Sequence, residues 1–249
     1  GLRLLDRSYS GVRLSETGKA LMPKIHRLLQ VYDSLNGEIR ACKRSQESTL
    51  WLAALDTIST RWVPRAVAQL KEEYPHITVS VISGSPMQVD NWLRDGSVEI
   101  GVTDRRWTGA ELDWTKLVDD PFLAVLPPDS DAPDPMPAAY LSGKAVIIPD
   151  YGTNTDTTRV FTRAGVEPAY TDDRLNNRSV LAAVAAGLGS TVFSRLELDY
   201  YAQQNLTVRA IDPPCLRELG VAMRPAVKNN PVARSLLRAL RRAAADDIA

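Results

Sequence analysis

The sequence predicts an α/β protein in two lobes, preceded by a short basic hairpin and a long helix. Three observations lead there. Strand-like and helix-like runs alternate from Thr49 to Val102, the rhythm of a sheet covered by helices. The alternation resumes at Ala145, after a stretch rich in Pro and Asp from Pro127 to Pro137. A seven-residue apolar repeat precedes both runs, beginning at Leu14.

The bulk properties are compatible with this reading. A chain of 249 residues with 44% hydrophobic content holds one large domain or two moderate ones. The formal net charge is zero, which argues against a nucleic-acid surface along the whole chain. The distribution is uneven. Up to Glu47 there are nine basic residues against five acidic ones, and the remainder therefore carries 21 against 25. A basic head on an acidic body fits an anion-facing start attached to something else. The two cysteines, Cys42 and Cys215, form no metal spacing or disulfide framework, so a reducing compartment is expected. No run is apolar and long enough to span a bilayer, and no signal-peptide core is present.

Taken in order, Leu2-Arg3-Leu4-Leu5 and Val12-Arg13-Leu14 flank a polar turn at Ser8 to Gly11 and read as a hairpin. Ser15 is placed to cap a helix, with Glu16 in its first turn. Leu14, Leu21, Leu28, Leu35 and Cys42 then recur at steps of seven, and Gly18, Ile25, Tyr32 and Ile39 form an offset series. This narrow seam suits pairing with another helix, through Leu14, Leu21, Ile25, Leu28, Tyr32, Leu35 and Ile39. Pro23 is expected to bend it.

Strands are expected at 49–55, 77–82, 98–102 and 117–126, with helices at 62–74 and 88–95. Further strands are expected at 145–148, 190–193, 206–211 and 220–223. Helices are expected at 157–164, 179–186, 197–203 and 231–245. The alternation implies a parallel sheet with helices on both faces and a cleft between two similar runs.

A search for catalytic chemistry finds none. His26 and His76 lack partners for a triad or a metal site, and no phosphate loop or nucleophile elbow is present. Gly187-Leu188-Gly189 reads as the end of a helix. No cofactor and no metal are expected. Small hydroxyl and amide residues do recur at expected strand ends: Thr57, Ser59 and Thr60; Ser83 and Ser85; Thr103; Gly152, Thr153, Asn154 and Thr155; Asn176 and Asn177; and Ser194. In open α/β sheets such positions face a ligand. Each is equally a good cap or turn former.

Several stretches resemble the LysR-type transcriptional regulators. Gly1 to Ser8 is similar to the wing strand of that family's DNA-binding unit, and Val12 to Gly18 to its return strand and the start of the linker helix. Pro64, Leu70 and Tyr74-Pro75 resemble the first helix of the family's sensor. Asp95 to Val102 is similar to a helix-to-strand turn, and Val184 to Gly189 to a second-lobe signature. The resemblance implies a winged helix-turn-helix, a dimerising linker helix and a periplasmic-binding-protein-like effector domain. It implies a cytoplasmic homodimer or homotetramer that controls transcription when a small, anionic or polar metabolite occupies the interlobe cleft. Effector positions would map to Thr57, Ser59, Thr103, Thr153, Asn154 and their neighbours.

On this reading residues 1–14 are the wing and 15–47 the linker helix. Residues 48–126 with 218–249 form the first lobe, and 127–217 the second. The recognition helix is expected to lie upstream of this chain, leaving Arg3, Arg7 and Arg13 to meet DNA phosphates, which positions without specifying a sequence. Two rivals remain. One is a solute-binding protein of the same two-lobed shape, which has no use for the heptad seam. The other is an enzyme using the cleft, against which the absence of paired catalytic groups counts.

Overall fold

The computed structural model describes residues 2–8, 11–25, 27–28, 31–32, 49–149, 154–171, 175–201 and 205–248. The side chains of 7, 8, 11–13, 154–156 and 248 are outside that description. The opening hairpin is present but sits later than the apolar run suggests. β1 (Leu5–Ser8) pairs antiparallel with β2 (Gly11–Leu14), from Leu5 opposite Leu14 to Ser8 opposite Gly11. Residues 2–4 instead run beside the start of the helix. The Ser15 amide donates to the Leu4 carbonyl at 3.0 Å, and its hydroxyl donates to that of Arg3 at 2.7 Å. Ser15 also caps the helix, accepting from the Gly18 amide at 3.0 Å. A Cβ on Gly18 would collide with the Leu4 carbonyl oxygen.

Helix α1 is described at 16–25, 27–28 and 31–32. Of its seam, Leu14 and Leu21 are half-buried, whereas Ile25, Leu28 and Tyr32 are exposed, the last two by more than half. Leu35, Ile39, Cys42 and His26 lie outside the described residues.

The body follows as β3 (Thr49–Ala54), α2 (Asp56–Glu73), β4 (Thr78–Ser83), α3 (Pro86–Arg94), β5 (Ile100–Asp104), β6 (Asp113–Leu126) and β7 (Met136–Pro137). Then come β8 (Ala145–Ile147), α4 (Asn154–Ala164), β9 (Ala169–Thr171), α5 (Asn177–Ala185), β10 (Thr191–Ser194), α6 (Arg195–Tyr201), β11 (Thr207–Asp212), β12 (Leu216–Met223) and α7 (Pro231–Ile248). The expected strand–helix alternation is there, but three details differ.

First, the sheet is mixed rather than parallel. Its order is β4-β3-β5-β12-β6-β11-β7, with β10 also on β6. Only β3 with β4, β3 with β5 and β11 with β7 run parallel along that path. The cause is β6, which passes from one lobe to the other. Its first part pairs antiparallel with β12, from Asp113 opposite Met223 to Pro121 opposite Leu216. Its last part pairs antiparallel with β10 and β11, Phe122 facing Ser194 and Leu126 facing Thr207. β12 then returns to the first lobe, where it lies between β5 and β6.

Second, α2 begins at Asp56, well before Trp62. The hydroxyls of Ser59 and Thr60 donate back to the Asp56 carbonyl at 2.8 and 3.1 Å, so residues that read as a loop satisfy themselves within the helix. Pro64 lies inside it. Third, α4, α6, β6 and β12 also start earlier than their apolar patterns indicate, and neither β7 nor β9 is among the expected strands.

Apolar burial divides the body. One core gathers Leu52, Ile58, Trp62, Val102, Leu219, Leu236 and Leu240 from β3, α2, β5, β12 and α7. From the last part of β6 onward, Phe122, Met136, Leu141 and Phe161 form a second cluster, and Val125, Val180, Val184 and Phe193 a third. α7 closes over α2, and Asp247 accepts from Trp62 Nε1 at 2.8 Å and from Arg61 Nη2 at 2.7 Å. On the other face α3 lies close to β5 because Gly101 has no side chain. A Cβ there would stand 2.6 Å from Leu93 and 2.8 Å from Val89.

Candidate functional site

The carboxyl ends of β3 and β5 carry the chain to one edge of the first lobe. Strand β3 hands over to α2 through Leu55, whose amide donates to the Val102 carbonyl at 3.2 Å. That contact sets the first turn of α2 beside the end of β5, where Thr103 and Asp104 lie. Leu55 occupies the N-cap position and makes no side-chain cap. Thr57 is buried in that first turn, and Thr103 is fully buried. Among the described residues the Thr103 hydroxyl has no hydrogen-bond partner. Ser59 and Thr60 are already engaged as donors within the helix.

Other expected residues serve local structure. Ser85 caps α3, accepting from the Gln88 amide at 3.3 Å while Gln88 Oε1 accepts from the Ser85 amide at 2.9 Å. Ser83 is exposed at the end of β4. Asn176 caps α5 by accepting from the Ser179 amide at 3.0 Å. Gly152 and Thr153 lie outside the described residues. Asn154 and Thr155 open α4, with their side chains outside the description.

Asn177 and Ser194 lead to residues that sequence reasoning missed. Asn177 interacts with the hydroxyl of Tyr201, in α6. Burial raises the Tyr201 pKa above its ordinary value of 10.0, and the charges of Asp56 and Glu197 push it the same way. The phenol is thus a standing hydrogen donor at neutral pH. It sits where the first turn of α2, the start of α5 and α6 converge. α6 is linked to the first lobe again through Asp199, 3.6 Å from Arg61.

Ser194 is wholly buried, and its hydroxyl donates to Glu197 Oε2 at 3.1 Å. Glu197 Oε1 is 3.5 Å from Arg217 Nη1, and Arg217 Nε donates to Asp120 Oδ2 at 2.8 Å. Asp120 Oδ1 accepts from the Leu196 amide at 3.1 Å. Asp120 and Arg217 are 1% and 4% exposed. This cluster lies on β6 and β12 at their passage between lobes. The charged pair within the run Leu216-Arg217-Glu218-Leu219 is the available signal, and Arg217 reads as polar surface unless its partner across the sheet is known.

At the hairpin, Arg3 is exposed and lies 3.1 Å from Asp6 in a pair open to water. The backbones of Arg7 and Arg13 lie in β1 and β2, with their side chains outside the description. Among the described residues no group of three or more His, Cys, Asp or Glu is arranged to hold a metal ion. None of the described helices is long and apolar enough to cross a membrane.

Comparison with known proteins adds a family. The model of the LysR substrate binding domain matches residues 43–245. A probable HTH-type transcriptional regulator, LrrA of Synechococcus elongatus, is 26% identical, covering 98% of this chain and 83% of its own. Among solved structures, the regulatory domain of Synechocystis CcmR in complex with 2-PG is similar with a TM-score of 0.66 and 22% identity, over 78% of this chain and 96% of that one. An H2O2-bound mutant OxyR of Corynebacterium glutamicum is similar with a TM-score of 0.67 and 18% identity, over 99% of this chain and 81% of that one.

Proposed function

The chain belongs to the LysR substrate-binding domain family, and from that premise we propose that its interlobe cleft binds a small polar or anionic metabolite whose occupancy controls transcription. The family match and relatives named as HTH-type transcriptional regulators favour a regulator over a free-standing solute carrier. One observation carries the site: α2, α5 and α6 meet at Tyr201, between apolar cores that lie on either side of the β6 passage. The residues offered to the effector are Thr57 and Thr103 from the first lobe and Asn177 and Tyr201 from the second. Gly152, Thr153, Asn154 and Thr155 are added from the family resemblance. The first turn of α2 has no side-chain cap, and a ligand oxygen suits its leading amides, ahead of the Ile58 and Ser59 amides that donate to the Leu55 carbonyl.

The proposed division keeps 1–14 as wing, 15–47 as linker helix, 48–126 with 218–249 as first lobe and 127–217 as second. It is supported by the apolar clusters, one drawing on residues on both sides of the second-lobe segment. The exposed Ile25, Leu28 and Tyr32 support a homodimer or homotetramer through α1, acting on DNA in the cytoplasm.

Native mass spectrometry of the purified protein tests the proposal, because it reports assembly size and any retained metabolite together. A panel of polar metabolites screened by thermal shift completes it. Stabilisation that Thr103→Val and Tyr201→Phe abolish supports the cleft. Stabilisation unchanged in both variants, or by no metabolite at all, rejects it.

A further inference from the structure

Helix α6 is held unequally along its length. Its first turn is tied into the buried cluster, through the Leu196 amide on Asp120 and Glu197 beside Arg217. Leu196 is also packed into the first-lobe core, although α6 directly follows the second-lobe strand β10. Farther along, Asp199 is 46% exposed and meets Arg61 of α2 at 3.6 Å. Arg61 does not depend on that contact. Its Nη2 donates to Asp247 Oδ1 at 2.7 Å, and Asp247 is nearly buried and also takes the Trp62 indole.

We propose that α6 is a latch across the cleft, turning about its buried first turn, with the Arg61–Asp199 pair setting how closely its far end approaches α2. The two ends differ in what separation leaves behind. Parting Asp120 from Arg217 strands a buried charge, which is strongly unfavourable. Parting Asp199 from Arg61 leaves the carboxylate in water and the guanidinium on Asp247, so no charge is orphaned. An exposed pair of that kind is weak and screened by salt. The first end is therefore the pivot, and the far end, whose Leu198 and Tyr201 pack on the second-lobe cluster of Val180, Val184 and Phe193, parts from α2 together with that lobe. Tyr201 lies in this far part, between Asp56 and Asn177, so a molecule entering between α2 and α5 meets the far end of the latch.

That last consequence rests on the proposed effector cleft. The latch itself is tested without any effector, so the two readings fail separately. Single-molecule energy transfer between dyes on the two lobes measures the opening in the full chain. Lys71 and Glu167 are exposed and are replaced by cysteine for labelling, with Cys42→Ser; Cys215 is buried. Excess unlabelled protein leaves one labelled chain per assembly. Raising salt from about 0.1 M to about 1 M shortens the screening length from about 10 Å to about 3 Å. The parent chain is expected to shift to lower transfer. Asp199→Asn should show the shifted value at low salt and respond no further, and Asp199→Arg should shift at least as far. Far-UV circular dichroism checks that both variants are folded. A parent that ignores salt, or an Asp199→Asn chain that responds as the parent does, overturns the latch.

Discussion

Arg217 and Asp120 are charged residues in a place that excludes water, and their value is conditional on each other. Removing one leaves the other buried and unpaired. Asp120→Ala is therefore expected to lower stability by about 3–5 kcal/mol, as broken buried pairs do. Replacing both, with Asp120→Leu and Arg217→Met, should cost less than the single change. Urea denaturation of the three variants measures this, and a double variant weaker than Asp120→Ala would refute the account. Tyr201 gives a pH effect of known sign. Its folded pKa is raised by burial and by Asp56 and Glu197, so the folded state holds the proton after the unfolded chain has lost it. Stability is intact below the unfolded value and falls as pH rises past it. Tyr201→Phe should flatten the alkaline loss seen in urea midpoints above pH ~10, while leaving the slope at lower pH unchanged.

At the scale of elements, caps and seams can be tested singly. The Ser85–Gln88 capping box begins a short helix, α3. Ser85→Ala should cost about 1 kcal/mol of stability, read from urea melts. The exposed seam of α1 bears on assembly instead. Leu28→Lys with Tyr32→Lys should lower the mass found by light scattering and leave the melting of the body unchanged.

Some elements were legible from sequence and some were not, for identifiable reasons. β3 and α5 have local patterns that agree with their burial, and they fall where expected. The start of α2 was misplaced because Ser59 and Thr60 look like loop residues, whereas their donors are used inside the helix. β12 appeared to begin at Gly220 because Arg217 and Glu218 looked solvated, while Arg217 is neutralised by residues far along the chain. The same holds for the candidate site. Hydroxyls near strand ends could be read directly, but Tyr201 draws its role from Asp56 and Asn177, elsewhere in sequence. Nothing in the run Leu196 to Tyr201 marks it as more than a helix.

The whole molecule depends on two strands shared between lobes. All five tryptophans, Trp51, Trp62, Trp92, Trp107 and Trp114, precede the second-lobe segment, so their fluorescence reports the first lobe while far-UV circular dichroism reports both. Because β6 and β12 serve the first-lobe core and the passage together, the two probes should give coincident urea midpoints. In Asp120→Ala they should separate. Separate midpoints in the parent chain would mean that the lobes do not stabilise one another through the shared strands.

The position of β12 has a consequence for synthesis. It fills the gap between β5 and β6, yet it comes after all the other described strands in sequence, and α7 follows it onto α2, where Arg61 and Asp247 are 186 residues apart. As the chain leaves the ribosome, β3, α2, β4, α3 and β5 emerge first but lack their central neighbour. The second-lobe strands and helices between β6 and β12 emerge before that neighbour does. The later-encoded lobe is thus positioned to fold inside an unfinished earlier one, and the first lobe closes only when the final helix arrives. Until then the free edge of β5 is an unpaired strand edge of the kind that invites misassembly.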